Sequence, residues 1–107
     1  MINKVYGLLG ITSKAGKVIS GTDVVLEGIT KGQVKLVIIA SDASERTIRN
    51  MENSCARYNV KSIIYGNILD NSKAIGKQNR AVIGIKDKNL AEAIEKVIHG
   101  GEGFGEN

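Results

Sequence analysis

The chain has 107 residues, with 15 Lys+Arg against 11 Asp+Glu and a formal net charge of +4. That length holds one domain with a modest core, and 42% hydrophobic with 24% charged residues suits a folded globular chain and not a disordered one. The longest unbroken apolar run, Leu36 to Ala40, excludes a membrane helix of ~20 residues, while a single cysteine, Cys55, and a single histidine, His99, exclude an internal disulfide and a Cys/His zinc site.

The chain opens Met-Ile-Asn-Lys-Val-Tyr-Gly, with no apolar segment leading to a small-residue cleavage site, so a cytoplasmic protein with no membrane partner is expected. Ile2, Val5, Leu8, Leu9 and Thr12 lie at the 3/4 spacing of one helical face, predicting a first helix over 3–14 with Gly16 just past its end. A short β-branched stretch, Lys17 to Ser20, follows. Gly21-Thr22-Asp23 then opens a second helix, with Val25, Leu26 and Ile29 inward and Gly32 closing it. Leu36 to Ala40 is apolar on both alternating faces, as a strand covered on each side by helices must be. Asp42 or Ser44 can cap a third helix, Asp42 forming a capping box with Glu45, and the face Ile48, Met51, Cys55, Tyr58 carries that helix to about Tyr58. Ser62 to Tyr65 reads as a strand, Ile68 to Ile75 as a short helix ended by Gly76, and Ala81 to Ile85 as the last strand. Asn89 with Glu92 is the expected N-cap pair of a final helix bearing Leu90, Ile94, Val97 and Ile98. A layered α/β/α domain over 1–99 follows, with 100–107, four glycines in eight residues, as a flexible tail.

Groups able to do chemistry are sparse. Cys55 falls on the apolar face of its helix, where a thiol packs as a small hydrophobe. His99 ends the last helix, where its partial charge suits the dipole, and Glu92 is explained by Lys96 one turn on. Gly10 to Val18 superficially resembles a phosphate loop, but five residues separate its glycines where four are required. Val18 also replaces the metal-binding hydroxyl, and the stretch ends a helix instead of starting one. No acid/base dyad emerges, so a non-enzymatic protein with no cofactor is expected.

The distribution of charge is more informative than its sum. Setting aside Glu102 and Glu106, residues 1–99 carry 15 basic and 9 acidic groups, a net +6. Residues 1–22 hold Lys4, Lys14 and Lys17 with no acid, and 71–86 hold Lys73, Lys77, Arg80 and Lys86 with none. Each segment contains a glycine turn. If both turns lie at one end of the sheet, Lys14, Lys17, Lys77 and Arg80 form a cationic rim. Gln78 and Asn79 can then bond bases or sugars, and the helix start at Gly21-Thr22 offers free N–H groups to phosphate.

The order Leu8-Leu9-Gly10, Lys14-Ala15-Gly16-Lys17, Ser20-Gly21, Val34 to Ser44 and Ala74-Ile75-Gly76-Lys77 resembles the ribosomal protein L7Ae/L30e family, in particular its bacterial YlxQ-like branch, over roughly residues 2–98. The resemblance implies a three-layer α/β/α sandwich with a mixed four-stranded sheet, monomeric when free. It implies binding of structured RNA, of the kink-turn type or in ribosomal RNA, by the start of the second helix and the loop before the last strand. Carried over are Gly21 and the Gly76 to Arg80 loop; together with the basic rim and the helix start, the expected site is Lys14, Lys17, Gly21, Thr22, Asp23, Lys77, Gln78, Asn79 and Arg80. The archaeal members read Gly-x-Asn-Glu-x-x-Lys at the helix start. Here Asp23 stands for the asparagine, Val24 for the glutamate and Glu27 for the lysine. A carboxylate cannot donate to a purine acceptor and repels phosphate, so these changes oppose the archaeal mode of base contact. Asn71-Ser72 also replaces a Leu-Gly often found before the short helix. The alternative expectation is a protein-interaction module on the same fold, its RNA site modified by Asp23 and Glu27.

Overall fold

A computed structural model describes residues 3–100; Ile2 and the expected tail, except Gly100, lie outside the described residues. The elements in chain order are α1 (Lys4–Lys14), β1 (Val18–Ser20), α2 (Thr22–Thr30), β2 (Leu36–Ile39), α3 (Glu45–Arg57), β3 (Lys61–Ile64), α4 (Ile68–Ala74), β4 (Val82–Ile85) and α5 (Lys88–His99). The strands form one sheet ordered β1-β4-β2-β3. β2 runs parallel to β3, and β4 is antiparallel to both β1 and β2, so the sheet is mixed, as expected.

The apolar run in β2 is explained by its place. Every residue of β2 and of β4 is buried, because these are the two central strands and each carries helices on both faces. Leu36, Ile38, Ile83 and Ile85 pack with Val5, Leu9 and Ile94 of α1 and α5, while Val37, Ile39 and Val82 pack with Val25, Ile29, Met51 and Cys55 of α2 and α3. Two cores on opposite faces of one sheet make the three-layer sandwich. On the α2 side, Gly28 is a point of close approach: a Cβ there would lie 2.7 Å from Ile19 Cδ1 and 2.9 Å from Val34 Cγ2.

One expected cap is placed differently, and of the two alternatives for α3 one is taken. The N-cap of α5 is Asp87, whose Oδ2 accepts from Leu90 N at 2.8 Å; its extended backbone is what a cap requires, and Asn89 already lies inside the helix. Ser44, not Asp42, caps α3 by accepting from Thr47 N at 3.1 Å. Asp42 instead reaches across the sheet end, where its Oδ1 accepts from Ile68 N at 2.9 Å and so caps α4 from a distant segment. That leaves α4 secured at its start both by Asp42 and by its own cap Asn67, which accepts from Asp70 N at 2.7 Å.

Candidate nucleic-acid interface

The antiparallel pairing of β1 with β4 decides which segments meet. Ser20 lies opposite Ile83, and Gly21 N donates to Val82 O at 3.0 Å, so the chain enters α2 beside the point where the α4–β4 loop arrives. Gly21 adopts φ 98°, ψ 144°, a conformation essentially closed to residues with a Cβ. It is also the N-cap of α2 and can offer no side chain. The first turn of α2, from Thr22 onward, therefore has no side-chain cap, and its N–H groups and positive dipole end suit an anion. Asp23, exposed in that same turn, sets a carboxylate against this field.

The second segment is built by α4. Gly76, with φ 72°, ends the helix by bonding its N–H to Lys73 O, and Lys77 N bonds back to Ser72 O at 2.8 Å. Lys77, Gln78 and Asn79 are exposed, and Asn79 takes a left-handed turn at φ 55°. The buried Ser72 then clasps the far end of the loop: its Oγ accepts from Arg80 N at 2.7 Å and donates to Arg80 O at 3.3 Å. Arg80 completes the junction, since its Nε donates to Ser20 Oγ at 3.1 Å. Thr22, Asp23 and the 77–80 loop thus flank one junction, with an open groove of about 580 Å³ between Leu69, Lys73, Gly76 and Asn79 alongside. Leu69 is 73% exposed on that groove, an apolar surface in a polar setting.

Lys14 and Lys17 part company. Ser13 Oγ donates to Ile75 O at 3.2 Å, which sets the last turn of α1, with Lys14, beside the end of α4. Lys17 lies at the opposite end of β1 from Gly21, about 13 Å away along an extended strand, where Lys86 N donates to Lys17 O at 2.8 Å. The single rim expected from the two basic segments is therefore divided, because β1 runs away from the Lys14 turn before it reaches Gly21. Ser20, Leu69 and Ser72 adjoin the candidate site and were not among its expected residues; Ser20 stood in the sequence only as part of the Ser20-Gly21 motif, and Ser72 only as a departure from the family's usual residue.

Glu27 does not stand free. Its Oε2 lies 2.9 Å from Lys31 Nζ, and that hydrogen bond and charge hold the carboxyl below its usual range. Cys55 is buried, and burial with the nearby Glu52 charge pushes its thiol up to about 11. Among the described residues, no three His, Cys, Asp or Glu gather to hold a metal, and no helix is long and apolar enough to cross a membrane.

Comparison with known proteins agrees with this architecture. The model of the "Ribosomal protein L7Ae/L30e/S12e/Gadd45 family" matches residues 3–95. An RNA-binding protein YlxQ of Bacillus subtilis (strain 168) is 34% identical over 95 residues, covering 87% of this chain and 93% of that protein. The YlxQ of Enterococcus faecium is 31% identical over 97 residues, covering 91% and 93%. A structure of a protein of unknown function from Bacillus halodurans C superposes with a TM-score of 0.87 at 33% identity, covering 90% of this chain and 97% of that one. The Giardia lamblia 15.5kD RNA binding protein shares the fold alone, with a TM-score of 0.77 at 17% identity, covering 95% and 91%. With that match across nearly its whole length, the chain belongs to the ribosomal protein L7Ae/L30e/S12e/Gadd45 family.

Proposed function

We propose that the protein is a non-enzymatic, monomeric, cytoplasmic RNA-binding protein of the translation apparatus, gripping structured RNA at the junction of the α2 start and the α4–β4 loop. The observation that carries this reading is the Arg80–Ser20 hydrogen bond. It draws the uncapped start of α2 and the exposed Lys77, Gln78 and Asn79 to one place, where phosphate can meet N–H groups and cations together. The names of the two YlxQ relatives support the same ligand class. Phosphate supplies most of the affinity. Base reading in the archaeal kink-turn manner is opposed by Asp23 and by Glu27, which Lys31 keeps ionised.

The test is RNA binding as a function of salt. With about four phosphate contacts, log K falls against log salt with a slope of about −3 to −4. Lys77 is exposed and makes no ion pair among the described residues, so Lys77→Glu leaves the fold intact and weakens binding by at least tenfold. Arg80 is a poorer choice for charge reversal because it also ties the loop to Ser20. Unchanged affinity in Lys77→Glu, with a circular dichroism spectrum like that of the parent, refutes this placement of the RNA. An interaction of the same face with a basic protein would instead appear as tighter partner binding in that variant.

A further inference from the structure

The end of the sheet remote from Gly21 carries a second concentration of positive charge. β1, β4 and β2 lie side by side, and each has a lysine just outside the strand at this end: Lys17 before β1, Lys86 after β4 and Lys35 before β2. Backbone bonds tie the three together. Lys86 N donates to Lys17 O at 2.8 Å, and Lys35 N donates to Ile85 O at 2.7 Å. The β1–β4 register, Val18 opposite Ile85, makes Lys17 and Lys86 a directly opposed cross-strand pair, whose Cα atoms are ~5.5 Å apart in a hydrogen-bonded position. Only one backbone bond joins the two, since Lys17 N donates to Thr12 O at 3.0 Å.

Like charges directly opposed in a sheet are destabilising, and neither lysine takes part in an ion pair among the described residues. The ion pairs among the described residues are Lys31 with Glu27 and Lys61 with Glu95. Asp87, next in the chain, has its carboxylate turned to Leu90 N as the cap of α5. Lys17 and Lys35 are exposed and Lys86 is half-exposed, so all three can reach a ligand. The last turns of α1 and α3 bring Lys14 and Arg57 as counter-charges for helix ends, but Lys17, Lys35 and Lys86 lie in no helix and are not explained in that way.

We infer that Lys17, Lys86 and Lys35 form a second RNA surface, which holds the phosphate backbone of a duplex without reading its sequence. It lies across the sheet from the α2–loop junction. Lys35 borders an open groove of about 320 Å³ that also has Tyr58 and Asn59 in its lining, and the three ammonium groups are point charges, which suit phosphate oxygens more than base edges. This inference rests on the RNA-binding reading above, but it concerns different residues and a different probe. The protein would then touch two segments of one folded RNA, or two RNAs, with opposite ends of its sheet.

The probe is a 30-base-pair RNA duplex of mixed sequence, which presents phosphate but no bulge or loop, titrated with the full chain over a range of salt. The triple variant Lys17→Ala, Lys35→Ala, Lys86→Ala is expected to lose at least tenfold in affinity. Its log–log salt slope should flatten by two to three, at about 0.9 per phosphate released from a duplex. Its melting temperature should be unchanged or higher, since like-charge repulsion is removed, whereas a structural role for the row would lower it. A triple variant with parental affinity and slope overturns the inference, as does a parent that fails to bind the duplex. Loss of duplex binding in Lys77→Glu with parental binding in the triple variant also overturns it, and leaves the α2–loop reading standing. Binding of a bulged, structured RNA, lost in Lys77→Glu but kept in the triple variant, tests that reading separately.

Discussion

Glu27 and Cys55 show how one residue's surroundings set its chemistry. Glu27 is paired with Lys31, whose hydrogen bond and charge hold its carboxyl below the usual range. Glu27→Lys removes a negative charge from the part of α2 that follows its uncapped first turn and frees Lys31 as a further cation. The expected result is a gain of tenfold or more in affinity for a kink-turn hairpin, with the helix retained, measured by titration against the parent. No gain would show that Val24, half exposed one turn earlier, and not the charge, blocks this mode. Cys55 is the opposite case, a group buried so that it stays neutral. Its thiol titrates at about 11 in the folded chain and near 9.0 when exposed, so the folded state retains a proton that the unfolded state releases. Stability is therefore full below about pH 9 and declines as pH rises toward 11. The thiol should resist alkylation at pH 8 until denaturant is added, and rapid labelling of the native protein would contradict its placement.

At the level of elements, the α2–sheet contact is a close fit. A methyl group at Gly28 meets Ile19 and Val34 at distances that real Cβ atoms do not reach, so α2 must shift outward or the side chains must leave their rotamers. Gly28→Ala is expected to cost about 1–3 kcal/mol by overpacking, more than helix propensity returns, as read from urea unfolding. Because α2 also presents the turn proposed to bind phosphate, the variant should weaken RNA binding too. The elements themselves were legible in the sequence wherever the cause is local. The 3/4 spacing of Val5, Leu9 and Thr12 and the apolar run of β2 report burial directly, and each element appears within a residue or two of its expected place. Chemistry between distant segments was not legible. Asp42 was read as a cap for the helix that follows it and caps α4 instead, and Ser72 was seen only as an unusual residue. The meeting of Ser20 with Arg80, 60 positions apart, depends on the β1–β4 register, which no window of sequence contains. The same register separates Lys17 from Gly21, so the expected rim divided although every residue in it was correctly identified as basic.

As a whole, the molecule is small, with a long dimension of 35 Å, so it can cover only a modest length of RNA. Single modules of this size bury ~600–1,000 Å² on nucleic acid and depend heavily on charge. Its surface is arranged accordingly. Opposite ends of one sheet carry the two cationic regions, and the rigid central strands β4 and β2, buried throughout, keep them at a constant separation. The Ser20–Arg80 bond has a consequence of another kind. The face it closes is assembled from the first fifth of the chain and the last third, so it exists only when the sheet has formed. RNA binding and folding are thus thermodynamically linked: a ligand that recognises only the folded chain adds about 2.7 kcal/mol of stability at a hundredfold excess over Kd. For a domain of this length that is an upward shift in Tm on the order of 10–20 °C. The heat resistance of the protein in a cell extract, with and without ribonuclease treatment, becomes a gauge of how much of it is occupied.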